Sequence, residues 1–211
     1  MRRLILSTLL ITPIFAQYSA TISNITPTIK SKMIKGHSYH YGCPVSLDKL
    51  RYLNITYRDF EGRDRVGELI VHQDIALDTI RVFQRLYEIG YPIRDMRLVS
   101  DFGGNDWQSI EADNTSAFNC RNATGTKHFS KHAYGKAIDI NPLENPYISR
   151  KGHISHRASL KFRKRVHTKN SSEDKALIKN GDKALEIFKM YHFKWGGEWH
   201  RVKDYQHFEH R

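Results

Sequence analysis

The stretch SKHAYGKAIDIN, Ser130–Asn141, sets a histidine and an aspartate seven residues apart, with Gly135 and Ala137 between them. Two readings fit. The stretch is either a loop feeding a buried strand, or a site in which His132 and Asp139 are two metal ligands that need a third. The second reading constrains the fold most, because a donor from elsewhere in the chain must return to the same place. The C-terminal GGEWHRVKDYQHFEH supplies one, with Asp204 three residues before His207. On a strand, His207 can point into a cleft, and a bend at Gln206 can bring Asp204 to the same side. His132, Asp139 and His207 then form a set of two nitrogens and one oxygen. Catalytic zinc sites use three protein ligands of these kinds and leave a fourth position for water. A carboxylate outside the ligand set, such as Asp204, suits the base that takes that water's proton and returns it to a leaving group. Gly135 and Ala137 would let backbone pass close behind the metal. Twelve histidines guarantee some chance pairs, so spacing alone leaves both readings open.

The surrounding pattern predicts a mixed α+β domain, with helices packed on one face of a small, mostly antiparallel sheet. Residues from the leader to about Lys35 read as an extended lead-in. Arg51–Phe60 and VGELIVH (Val66–His72) alternate as strands around the turn EGRDR, a hairpin. An amphipathic helix starts at Asp74, with Ile75, Leu77, Ile80, Phe83, Leu86 and Tyr87 near helical spacing, and ends at Gly90 and Pro92. MRLVSDF (Met96–Phe102) reads as a strand, AIDI as another, Glu173 to about Met190 as a second helix, and FKWGGEW and YQHFEH as closing strands. No internal repeat is present. The expected organisation is a leader over 1–16, an N-terminal lead-in and first strand over 17–64, and a core domain over 65–211 with a basic insertion at about 149–170.

The first sixteen residues run from Arg2 and Arg3 through an apolar stretch, Leu4–Phe15, to Ala16, the order of a secretory signal peptide. The apolar stretch is short for a membrane anchor and is interrupted by Pro13, and no integral membrane segment is expected after its removal. Export bears on the two cysteines. In an oxidising compartment Cys43 and Cys120 can pair, which would tie the N-terminal segment to the one leading into the first motif; two unrelated buried thiols are the other reading, and the sequence does not separate them. Such a bridge would contribute about 4 kcal/mol through loop closure. The formal charge of +12 becomes +10 without Arg2 and Arg3. Anionic wall polymers and membrane surfaces are the expected partners of such a charge, and no nucleic-acid motif accompanies it. Much of the excess lies in Ser149–Lys169, which reads as a solvated loop, with gripping an anionic glycan or capping the cleft as the alternative. His153, His156 and His167 belong to that stretch, and His128, His200 and His210 flank the motifs; all six read as surface or supporting residues.

Ser130-x-His132-x-x-Gly135-x-Ala137-x-Asp139, followed by Asp204-x-x-His207, resembles the signature of the D-alanyl-D-alanine carboxypeptidase-like zinc peptidases. That superfamily includes D,D-dipeptidases and L-alanyl-D-glutamate endopeptidases. SAFNCR upstream, IDINPLENPY downstream and GGEW (Gly196–Trp199) are also similar to bacterial members, and the resemblance runs from about Leu69 to the C-terminus. It implies one zinc ion per chain on His132, Asp139 and His207, with Asp204 as general base. Arg121 stands where an arginine would polarise the scissile carbonyl or hold a substrate carboxylate. Ser130 and Trp199 are the expected substrate-binding residues. The implied function is an exported or periplasmic, cell-wall-associated peptidase acting on peptidoglycan stem peptides, by D,D-carboxypeptidase or L,D-type endopeptidase action. The competing readings are a catalytically silent wall-binding module of the same fold and a cationic protein that binds nucleic acid or membrane through Lys161–Lys169.

Overall fold

The computed structural model describes residues 17–210. The leader therefore lies outside the described residues. Strand β1 (Ala20–Asn24) is followed by helix α1 (Pro27–Lys35), then by the hairpin of β2 (Leu50–Arg58) and β3 (Asp64–His72). Helix α2 (Gln73–Glu88) follows directly. β1, β2 and β3 form one antiparallel sheet, with β2 and β3 in register from Leu50 opposite His72 to Arg58 opposite Asp64. α2 lays Ile75, Phe83 and Leu86 of the expected face on this sheet together with Val82, while Leu77 is exposed instead. Its N-terminus is capped by His72, whose Nδ1 accepts from the Asp74 amide at 3.2 Å.

Two-residue strands β4 (Asp95–Met96) and β5 (Asn114–Thr115) pair in parallel, with helix α3 (Asp106–Glu111) between them in sequence. The first motif then delivers β6 (Ala137–Asp139). β7 (Tyr147–Ile148), α4 (Ser172–Ala176), α5 (Lys183–Met190), β8 (Phe193–Trp195), β9 (Lys203–Asp204) and β10 (His207–His210) complete the order. β6, β10 and β8 form a second antiparallel sheet with β10 at its centre, and β7 pairs with β9. The α+β plan holds, with the strands spread over four small sheets among the described residues rather than one. One core joins the two larger sheets: Leu53, Leu69, Phe83, Ile138, Phe188 and Phe208 all belong to it. No helix among the described residues is long and apolar enough to cross a membrane.

Four local expectations change. The lead-in before Lys35 is not wholly extended. Thr26 Oγ1 accepts from the Ile29 amide, Pro27 takes the first helical position and Met33 is fully buried, so a helix forms there. MRLVSDF is a strand only at its start. The Asn114 side chain takes both backbone groups of Arg97, at 2.7 and 3.0 Å, and replaces the next ladder partner. The chain then turns through a 3-10 helix, Val99–Phe102. The helix expected from Glu173 to Met190 is two helices: the chain leaves α4 at Leu177 in extended conformation, and α5 starts again only after Asp182. The basic stretch is also more anchored than a solvated loop. Arg165 donates to the backbone oxygens of Glu144 and Ile178 and to Asn145 Oδ1, and Ile154, His156, Ser159 and Phe162 are buried.

Cys43 and Cys120 form a disulfide, closing a 77-residue separation. It belongs to a second apolar cluster with Met33, Leu50, Ile70 and Phe118, which carries the N-terminal segment against the chain just before the first motif. Alkylation of denatured, non-reduced protein is expected to find no free thiol. Replacing both cysteines by serine should lower unfolding free energy by about 2–5 kcal/mol in chemical denaturation.

Candidate metal centre and cleft

The first motif is held from both ends. Ser130 Oγ accepts from the His132 amide at 3.3 Å and starts a 3-10 turn, Lys131–Tyr134, that Gly135 closes at φ +67°. A Cβ on Gly135 would stand 2.7 Å from the His72 nitrogen, which already donates to the Gly135 carbonyl. Gly135 therefore serves the junction of β3 and α2, not the space behind a metal. The next residues run into β6, whose Asp139 sits directly opposite His207 of β10. Two side chains 68 residues apart thus meet as a cross-strand pair.

His132 Nδ1 donates to the Ala117 carbonyl at 2.5 Å, which directs the Nε2 lone pair the other way. That Nε2 lies 3.1 Å from His207 Nδ1 and 3.2 Å from Asp139 Oδ2. His207 Nδ1 is 3.0 Å from Asp139 Oδ1. All three residues are buried. Burial alone would lower the His207 pKa, but its hydrogen bond to Asp139 and its pairing with Glu209 raise it to about 10. Asp139 is pushed well below the carboxylate range, because its pairing with His132 and His207 outweighs burial. Two imidazole nitrogens and a carboxylate gathered at one point and shielded from solvent call for positive charge between them, as a proton or a metal ion. Nitrogen and oxygen donors in this number match a zinc site, so the residues fit the metal that the motif implies.

Asp204 reaches the same place by another route. β9 pairs with β7 through Asp204 opposite Tyr147, and Tyr205–Gln206 then bends the chain into β10. The Ile140 amide donates to the Gln206 carbonyl. Asp204 Oδ1 is shielded from solvent and has no hydrogen-bond partner. Burial, and then the Asp139 charge, raise its pKa to about 7. Gly196 makes room for this turn: a Cβ there would stand 2.6 Å from the Asp204 carbonyl oxygen and 3.3 Å from His207 Cβ.

All seven residues singled out in the sequence line one cavity of about 600 Å³. Arg121 is fixed at its edge, with Nε and Nη2 donating to Asp106 Oδ1 at 3.0 and 2.9 Å and Nη1 donating to the Asn122 carbonyl. Ser130 caps the turn beneath His132 and makes no hydrogen bond to Asp139. The Trp199 ring lies 5.3 Å from that of His207. Residues outside those seven also line the cavity. Glu209 stands 3.7 Å from His207 Nε2, while Asp106, Trp107 and His156 form the wall near Arg121. His156 was read as part of a solvated loop; its burial and its partners on α3 put it in the cleft instead.

Residues 124–210 match the family model described as D-alanyl-D-alanine carboxypeptidase. The match, over fewer than half of the residues, supports a likeness of this segment to the D-alanyl-D-alanine carboxypeptidase-like superfamily. It contains His132, Asp139, Asp204 and His207, and begins just after Arg121. No curated protein and no solved structure matches the chain. In this carboxypeptidase-like segment the Gly-Gly pair is tested most directly by Gly196→Ala. The added methyl meets backbone, which cannot rotate away, so thermal or chemical unfolding should show a loss of about 1–3 kcal/mol. A variant as stable as the parent would mean that the Asp204 turn is free to move.

Proposed function

We propose that the protein is an exported, zinc-dependent peptidase that hydrolyses amide bonds in peptidoglycan stem peptides, by D,D-carboxypeptidase or L,D-type endopeptidase action. The observation that carries this reading is the convergence of His132, Asp139 and His207 beside Asp204, whose buried Oδ1 has no hydrogen-bond partner, inside the segment that matches the peptidase family. The leader sequence supports export, as does the Cys43–Cys120 disulfide, since such bridges persist in oxidising compartments.

Held by these three side chains, zinc would polarise the scissile carbonyl and bring the pKa of a bound water towards about 7. The protein's own groups do the rest. The Ala117 carbonyl holds His132 in the tautomer that offers Nε2, and the β6–β10 pairing holds Asp139 and His207 together. Asp204 accepts the proton of the attacking water and returns it to the leaving amine. A carboxylate raised by burial is a stronger base than an exposed one, which suits that transfer. Arg121, oriented by Asp106, donates to the substrate's carbonyl or carboxylate oxygen. Trp199 walls the cleft beside His207.

Metal analysis of purified protein should give near one zinc per chain, with His132→Ala and His207→Ala far below that. Near-stoichiometric zinc in both variants would sink the ligand assignment. Asp204→Asn should keep its zinc and its fold, because the residue is outside the ligand set. Mass spectrometry of muropeptides should nonetheless show turnover reduced by roughly 10²–10⁴-fold, mainly in kcat. A wall-binding module would show no turnover in the parent protein either.

A further inference from the structure

One wall of the cleft is built by α3 and the basic segment together. His156 is buried, and its ring lies against the Trp107 indole with centroids 4.0 Å apart and planes 33° apart. Its Nδ1 is 2.5 Å from Glu111 Oε2. One turn of α3 thus clamps the imidazole from two sides, since positions four apart share a helix face. Trp107 is supported on one face and remains 53% exposed. Both rings line the cavity that holds His132 and Asp204.

An exposed tryptophan whose inner face is braced offers a ligand a flat apolar surface with little ordering cost. Its surroundings define what that ligand is. Asp106, which holds Arg121 through Oδ1, and the Arg121 guanidinium line the same cavity as the ring, so charged hydrogen-bonding groups share the cleft with it. A purely apolar side chain laid on Trp107 would strip water from those groups and give nothing back. A pyranose ring satisfies both demands: its C–H face packs on the indole and its hydroxyls hydrogen-bond to the charged groups.

We propose that the Trp107–His156 pair is a saccharide-binding face, which seats a pyranose of the glycan attached to the peptide being cut. The proposal rests on the peptidase reading above and names the part of the substrate that this wall recognises. His156 acts as a positioning residue, through Trp107.

The test compares kcat/KM on a stem peptide with and without its disaccharide, in the full-length parent, Trp107→Ala and Trp107→Phe. Calorimetric titration of each protein with an N-acetylglucosamine oligosaccharide accompanies it. The parent should prefer the disaccharide-bearing substrate by roughly tenfold, expressed in KM. That ratio should collapse towards one in Trp107→Ala and survive in part in Trp107→Phe, which also serves if the alanine variant does not fold. Equal rates on the two substrates in the parent, or an unchanged ratio without Trp107, would overturn the proposal. If neither substrate is cut, calorimetry decides. Weak oligosaccharide binding that needs Trp107 supports the face while the peptidase reading fails; no binding by the parent overturns the face as well.

Discussion

The antiparallel pairing of β6 with β10 is the constraint on which the site depends. Asp139 stands opposite His207, and the next pair along is Ile138 opposite Phe208. Side chains alternate across a strand, so these two pairs face opposite sides of the sheet. Ile138 and Phe208 are fully buried, and Phe208 stacks on Phe188 of α5 with centroids 3.8 Å apart. The apolar pair therefore sets the register, and the register aims the two donors at the cleft. A slip of one residue between the two strands would set one donor opposite an apolar residue, so that either a donor is forced into the core or an apolar side chain into the cleft; packing energy and site geometry are therefore secured by the same pairing.

Electrostatics follows from that placement. The sheet removes two imidazoles and the Asp139 carboxylate from water, and β9 brings the Asp204 carboxylate close enough to feel the Asp139 charge. Each group answers in its own direction. His207 is held in its charged form, Asp139 stays ionised, and Asp204 is driven towards its neutral form. A dry cluster of this kind is stable only with positive charge inside it, supplied by protons or by a metal. The Ala117 carbonyl biases the choice, since it takes the Nδ1 proton of His132 and leaves Nε2 as an acceptor facing the other donors.

How much of this was legible depends on where each part is written. His132, Asp139, Asp204 and His207 stand out because their chemistry lies in the side chains and their spacings are short. The helix over Gln73–Glu88 was plain from its apolar spacing. By contrast, the Ala117 carbonyl is a backbone group and leaves no mark on the sequence. His156 looked like one more member of a charged run, because Glu111, which holds it, lies 45 residues earlier. Gly135 was noticed for the wrong reason: its small size serves contact with His72, which no local pattern displays. MRLVSDF has a strand's composition, but one long-range side chain, Asn114, takes over its hydrogen bonds.

The family match begins at residue 124, yet the centre it contains is assembled on residues before it. Ser116 exchanges both backbone hydrogen bonds with Asp139, at 2.9 and 2.8 Å, and so extends the site sheet by one bridge on the side away from His207. Ala117, the next residue, orients His132, and Arg121 follows in the same segment. That segment is fastened in turn: the Cys120 amide donates to the Ser38 carbonyl, the Phe118 amide donates to the Ile70 carbonyl, and Cys120 is bonded to Cys43. The N-terminal hairpin and the disulfide therefore reach the metal donors through a few short links. Loosening Ser116–Arg121 would free the His132 tautomer, the flank of Asp139 and the Arg121 guanidinium together. This is a physical reason for an N-terminal half outside the matched segment to be folded onto it rather than tethered beside it.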